Sequence, residues 1–138
     1  MRKAVIDTSV FVSGLIKSPD CRRILKAFEH SEFILVISPD ILSELIGVIS
    51  RPKFHTIISK ETAARLIEAI KTQALLVKPS IRLEAIEVDS DDNRFLEAAV
   101  TARANCIVSL DKHLLSLGVF RGVPILSPAK FIPLLNKA

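Results

Sequence analysis

Ala4-Val5-Ile6 running straight into Asp7 constrains this chain more than any other stretch. A short, unbroken apolar run has no polar face to turn to water. It suits a strand covered on both sides, as in the middle of a parallel sheet. Asp7 then stands at the carboxyl end of that strand, followed by two hydroxyl residues, Thr8 and Ser9, and a second apolar segment. In open α/β sheets, ligands bind along this edge. One Asp in such a place is more simply a helix cap, so its meaning depends on which other acids reach the same edge.

The rest of the chain supplies the other strands. After a first strand at Lys3–Ile6, apolar spacing predicts a helix over Thr8–Ile16, with Gly14 as a weak point in it. Ser18-Pro19 and Ser38-Pro39 are both cap-plus-proline helix starts. The first opens a helix to about His30. The second opens one that buries Ile41, Leu42, Leu45, Ile46 and Ile49 and stops before Pro52. Between them, residues 33–37 form a continuous apolar strand. Ser59 caps a further helix carrying Ala63, Leu66, Ile67 and Ile70. Residues 74–77 read as a third strand, 80–90 as a loop, 91–104 as a helix and 106–110 as a fourth strand. A short helix, Lys112–Leu117, leads to a fifth strand at Val123–Leu126 and a last helix from Ser127-Pro128, interrupted by Pro133. Strands alternating with helices imply one α/β domain over residues 1–138, a parallel sheet with helices on both faces.

Composition agrees: the chain is 49% hydrophobic but only 5% aromatic, without Trp or Tyr, so its core is aliphatic. Nineteen basic against 15 acidic residues give a net charge of +4. Gathering four acids into one site would leave a distinctly basic surface, suited to a polyanion. Cys21 and Cys106 have no metal-ligand spacing, and Cys106 sits in an apolar run as a small core residue. With no disulfide framework, no secretory leader and no apolar run near the roughly 18 residues of a membrane span, the expectation is a soluble, cytoplasmic protein.

Asp111 repeats the placement of Asp7, an acid closing the apolar run Ile107-Val108-Ser109-Leu110. In a parallel sheet both acids lie on one side. Glu44 stands off the apolar stripe of its helix, and Asp92 lies in the first turn of the helix over 91–104. Separately, each has an ordinary explanation: Asp7 and Asp111 as caps, Glu44 as a solvated residue, Asp92 as a partner of the helix dipole. Together they form a constellation. Helical phase separates Asp92 from Asp91, because Phe95, Leu96 and Ala99 fall on the face of Asp92 while Asp91 is rotated about 100° away.

Val5-Ile6-Asp7-Thr8-Ser9-Val10, Leu42-Ser43-Glu44-Leu45, the run from Asp91 to Ala99 and Ile107-Val108-Ser109-Leu110-Asp111 resemble the motifs of the PIN-domain family, metal-dependent nucleases that include VapC-like toxin ribonucleases of toxin–antitoxin pairs. The resemblance spans nearly the whole chain. It implies a three-layer α/β/α sandwich with a five-stranded parallel sheet in the order 3-2-1-4-5. It also implies an acidic site of Asp7, Glu44, Asp92 and Asp111, with Ser9 and Ser109 as supporting hydroxyls. Two positions depart from the pattern: Ser9 stands where many members have Asn, and His113 where many carry a second acid.

Crowded carboxylates repel one another unless a cation intervenes. Hard oxygens suit Mg²⁺ or Mn²⁺, and such an ion activates water for in-line attack on a phosphodiester. The resemblance implies a 5′-phosphate and a 3′-hydroxyl as products. The expected substrate is RNA, steered by Arg22, Arg23, Lys26 and Lys112. An antitoxin and a second copy of the chain are the expected protein partners. The competing readings are a single-stranded DNA or flap nuclease and a non-catalytic RNA- or protein-binding module on the same fold. A phosphoaspartyl phosphatase is disfavoured because Ser9 occupies the place of its second Asp. A receiver domain is disfavoured because the last strand ends in Ser127 where it would need Lys.

Overall fold

The computed structural model describes residues 1–80 and 93–135. Strand β1 (Lys3–Ile6) is followed by α1 (Thr8–Ile16), α2 (Pro19–Glu29), β2 (Ile34–Ile37), α3 (Pro39–Ile49), a 3-10 turn at Pro52–Phe54, α4 (Lys60–Gln73) and β3 (Leu75–Leu76). The second half holds α5 (Asn93–Ala102), β4 (Cys106–Val108), α6 (Lys112–Leu117), β5 (Val119–Phe120), β6 (Val123–Leu126), α7 (Pro128–Phe131) and a 3-10 turn at Ile132–Leu134. The expected loop over 80–90 and the two acids Asp91 and Asp92 lie outside the described residues, apart from Ser80.

The sheet runs β3-β2-β1-β4-β6-β5. Its five parallel strands have the anticipated order, the predicted fifth strand being β6. The addition is β5, two residues that pair antiparallel with β6 after the turn at Arg121-Gly122. Connections from β1 through β3 step one way across the sheet and those from β3 through β6 step the other, so right-handed crossovers place their helices on opposite faces. α5 lies across β2, β1 and β4, while α2 packs on α1 and α7. The core is aliphatic around Val5, Ile6, Leu35, Ile41, Leu45, Leu96 and Ile107, with Phe11, Phe95 and Phe131 fully enclosed.

The helix starts follow the sequence closely. Ser18, Ser38, Ser59 and Ser127 each accept a hydrogen bond from the backbone N–H three residues on, which satisfies a donor that the first helical turn leaves open. Two expectations are corrected. Ile46 is not buried in α3 but faces outward, leaving Ile41, Leu45 and Ile49 as that helix's buried stripe. Gly14 is not a weak point but a contact. A Cβ there would meet the Leu25 Cδ1 methyl at 2.8 Å and the carbonyl carbon and oxygen of Cys21 at 3.0 Å.

The Leu25 methyl can swing aside, whereas the Cys21 peptide is held in α2. Gly14→Ala is therefore expected to lower stability by about 1–2 kcal/mol in urea unfolding, despite the roughly 1 kcal/mol that Ala gains in helix propensity. An unchanged or higher midpoint would show that α1 and α2 separate freely.

Candidate active site

Register decides what stands beside Asp7. Ile6 pairs with Val108, and the Asp7 N–H donates to the Val108 carbonyl at 2.9 Å. The residue across from Asp7 is consequently Ser109. β4 ends at Val108, short of the predicted 110, although the Ser109 N–H still donates to the Leu126 carbonyl of β6 at 3.0 Å. Ser109, with no solvent exposure, donates its hydroxyl to Asp7 Oδ2 at 2.6 Å, and its Oγ accepts the Asp111 N–H at 2.9 Å. The Ser109 hydroxyl thus ties the Asp7 carboxylate to the backbone of Asp111.

Both acids also cap helices. Asp7 Oδ1 accepts the Ser9 N–H at a long 3.4 Å, and Asp111 Oδ1 accepts the His113 N–H at 2.8 Å. The capping reading of both acids is borne out. The Ser9 hydroxyl adds a second donor to Asp7 Oδ2 at 3.1 Å. Burial of Asp7, which is 5% exposed, raises its pKa above the ordinary value. Hydrogen bonds from Ser109 and Ser9 oppose that shift, and the Asp111 charge adds to it. Asp7 Oδ1, with only its long contact, and Asp111 Oδ2 retain acceptor capacity among the described residues.

Glu44 comes to this region from α3 and is held by two other elements. The Thr8 hydroxyl donates to Glu44 Oε2 at 3.2 Å. Arg94, on α5, places Nη1 3.5 Å from the same oxygen and donates to the Asp40 carbonyl at 3.4 Å. The two side chains are about a quarter exposed.

A buried carboxylate with a raised pKa beside a second carboxylate is a place where a hard cation would relieve both burial and repulsion. Asp7 and Asp111 fit that role. Among the described residues, however, no three Asp, Glu, His or Cys side chains come together closely enough to hold an ion. Asp92, the fourth expected ligand, lies outside them.

The expected substrate cations differ in placement. Arg22 and Lys26 are exposed on α2, and Lys112 is exposed beside Asp111. Arg23 makes a two-point ion pair with Glu32 at 2.9 and 3.1 Å. Glu32 precedes the amino end of β2, so Arg23 is turned to the sheet edge opposite the acids. His113 is an exposed residue of α6. Both cysteines are buried, which pushes the Cys21 thiol pKa up and that of Cys106 to about 12, so neither is a poised nucleophile.

A family model described as PIN domain matches residues 3–113. The chain belongs to the PIN-domain family. PIN domains are generally nucleases, and PIN nucleases typically use divalent metal ions. The uncharacterized protein MJ1680 of Methanocaldococcus jannaschii is 30% identical to this PIN domain over 117 residues, 83% of this chain and 74% of that protein. The crystal structure of PAE2754 from Pyrobaculum aerophilum shares the fold at a TM-score of 0.63 and 14% identity, covering 96% of this chain and 88% of the other. VapBC2 from Rickettsia felis, bound to a DNA fragment from its promoter, does so at 0.61 and 13%, covering 91% and 98%.

Sequence reasoning missed several polar groups in this PIN domain. Thr8 and Arg94 act on Glu44 across element boundaries, which no local spacing reveals. Asn93 and Glu97, one turn apart on α5, are both buried. A cue was present, since Phe95 through Val100 carries a single charge. A helix that apolar is covered on most sides, and Glu97 is covered with it.

Proposed function

We propose that this PIN domain, as a single domain, is a metal-dependent endoribonuclease and the toxin half of a toxin–antitoxin pair. The observation that carries the reading is the buried carboxylate of Asp7 at the carboxyl end of the central strand, joined through Ser109 to Asp111. Asp7 and Asp111 hold the cation, and Glu44 and Asp92 complete its acidic surroundings. When bound, Mg²⁺ or Mn²⁺ would supply an activated water and charge stabilisation at a phosphodiester.

The chain's own groups set the stage for that chemistry. Ser9 and Ser109 fix one oxygen of Asp7 and turn the carboxylate, so its other oxygen is the one offered to a cation. Capping by the His113 N–H does the same for Asp111. Lys112 and the exposed Arg22 and Lys26 draw the RNA backbone in, giving binding that weakens with salt. The test is cleavage of messenger, transfer and ribosomal RNA, and of single-stranded DNA, with and without added metal. RNA cleavage only with metal supports the reading. Binding without cleavage in every condition would leave a sequestering module in its place.

The partner side of the proposal rests on surface chemistry. A groove of about 620 Å³ between α3 and α4 is lined by Ile46, Ile49, Ile58 and Ile67 together with Lys60, Glu68 and Lys71, and Ile57 and Leu76 are also exposed. Exposed apolar side chains in such a groove suit an interface, and a second copy of the chain is the proposed occupant. An antitoxin is the further proposed partner, on the likeness to a toxin–antitoxin assembly. Light scattering at micromolar concentration is expected to give twice the mass of one chain. A single-chain mass throughout would rule self-association out. Among the described residues, no helix is long and apolar enough to cross a membrane.

A further inference from the structure

Glu44 is engaged before any ion arrives. Thr8 from α1 and Arg94 from α5 both approach its Oε2, at 3.2 and 3.5 Å, and Arg94 also reaches the Asp40 carbonyl one turn earlier on α3. One guanidinium therefore links α5 to the first turn of α3 and brings a permanent positive charge to Glu44, a proposed member of the acidic site. Arg stays charged at any physiological pH. Its five donors in a planar fork let it hold a carboxylate and a carbonyl together.

A divalent ion at this site and the Arg94 guanidinium would be like charges drawn to the same carboxylate. They cannot both be satisfied there without mutual repulsion. We propose that Arg94 is a built-in counter-cation: it neutralises Glu44 in the metal-free protein and competes with a divalent ion for it. Arg94 thereby sets the metal affinity of the site from within the chain. The inference rests on the metal-site reading above and concerns its regulation. It makes Arg94 a positioning and tuning residue, not a catalytic one. Thr8, which is neutral, holds the carboxylate without opposing the ion.

The charge argument and a purely geometric one predict opposite signs. If the role of Arg94 is electrostatic, removing its charge tightens metal binding. If Arg94 merely holds Glu44 in shape, removing it loosens binding. Both sides of the pair are partly exposed, so solvent screening limits the effect.

The experiment measures Mn²⁺ binding to the whole chain without RNA, by the electron spin resonance signal of free Mn²⁺. Wild type is compared with Arg94→Met, Arg94→Lys and Asp7→Asn, and each is also melted in EDTA and in Mn²⁺. Arg94→Met should bind Mn²⁺ about three- to tenfold more tightly than wild type. It should melt lower in EDTA yet gain more from Mn²⁺. Arg94→Lys, which keeps the charge, should stay within about twofold of wild type. Weaker or unchanged binding in Arg94→Met, or tighter binding in Arg94→Lys to the same degree, overturns the proposal while leaving the metal site standing. Wild-type binding that Asp7→Asn fails to diminish, or no binding at all, overturns the metal-site reading and the proposal with it.

Discussion

Asp7→Asn is expected to lower RNA cleavage by about 10²–10³-fold or more, the scale seen when one group that stabilises developing charge is removed, while the metal-free protein melts a few degrees higher than wild type. The two effects have one cause. Burial raises the pKa of Asp7, and the Asp111 charge raises it further. The native state therefore keeps a proton on Asp7 to higher pH than the unfolded chain does. Between the two pKa values the native state binds more protons, so stability falls as pH rises through the native value. At neutral pH the ionised carboxylate is a net burden that Asn does not carry. Asn can keep its oxygen against the Ser109 and Ser9 hydroxyls, now 2.6 and 3.1 Å from Oδ2, losing only the long 3.4 Å contact from the Ser9 N–H to Oδ1. Melting curves across pH in EDTA test this. The wild-type midpoint should approach that of the variant as pH falls. A variant that melts lower at neutral pH, or that still cleaves at the wild-type rate, would show that Asp7 acts through packing.

Removing the metal should match that loss without any substitution. In excess EDTA, RNA cleavage is expected to drop to background, and excess Mg²⁺ or Mn²⁺ should restore it. Without a cation, the burial of Asp7 and the Asp111 charge are opposed only by the hydrogen bonds from Ser109 and Ser9. The same ion should stabilise the fold. A ligand that binds only the native state at a hundredfold excess over its Kd contributes about 2.7 kcal/mol. Wild type should show that shift in melting and Asp7→Asn should not. Full activity in EDTA would put the chemistry elsewhere.

Much of this was legible in the sequence because its signals are local. The four Ser-Pro or Ser-capped helix starts, the apolar runs of the central strands and the parallel logic that sends Asp7 and Asp111 to one edge all come from neighbours in the chain. What escaped depends on residues far apart in sequence. Gly14 read as a helix weakness, because the Cys21 peptide that excludes a side chain there appears only when α1 and α2 cross. Residues 109 and 110 read as strand, but the chain leaves the sheet at Ser109 so that Asp111 can cap α6. Arg94 drew no reading of its own, because its bond to α3 spans 54 positions to Asp40. β5 is two residues long, too short to have any periodicity.

The lengths of the outer strands bear on what this molecule does when crowded. At either side of the sheet stands a two-residue strand, β3 at one edge and β5 at the other, while β1, β2 and β6 have four. A long, bare edge is a template onto which another chain can add a strand, and stacking of that kind leads to fibrils. Among the described residues each edge strand offers two residues of backbone, and three residues beyond β3 stands Pro79, which has no N–H to donate. Edges this short are poor templates for strand addition. Contact between copies through the proposed α3–α4 groove would then involve helix side chains in place of strand backbone.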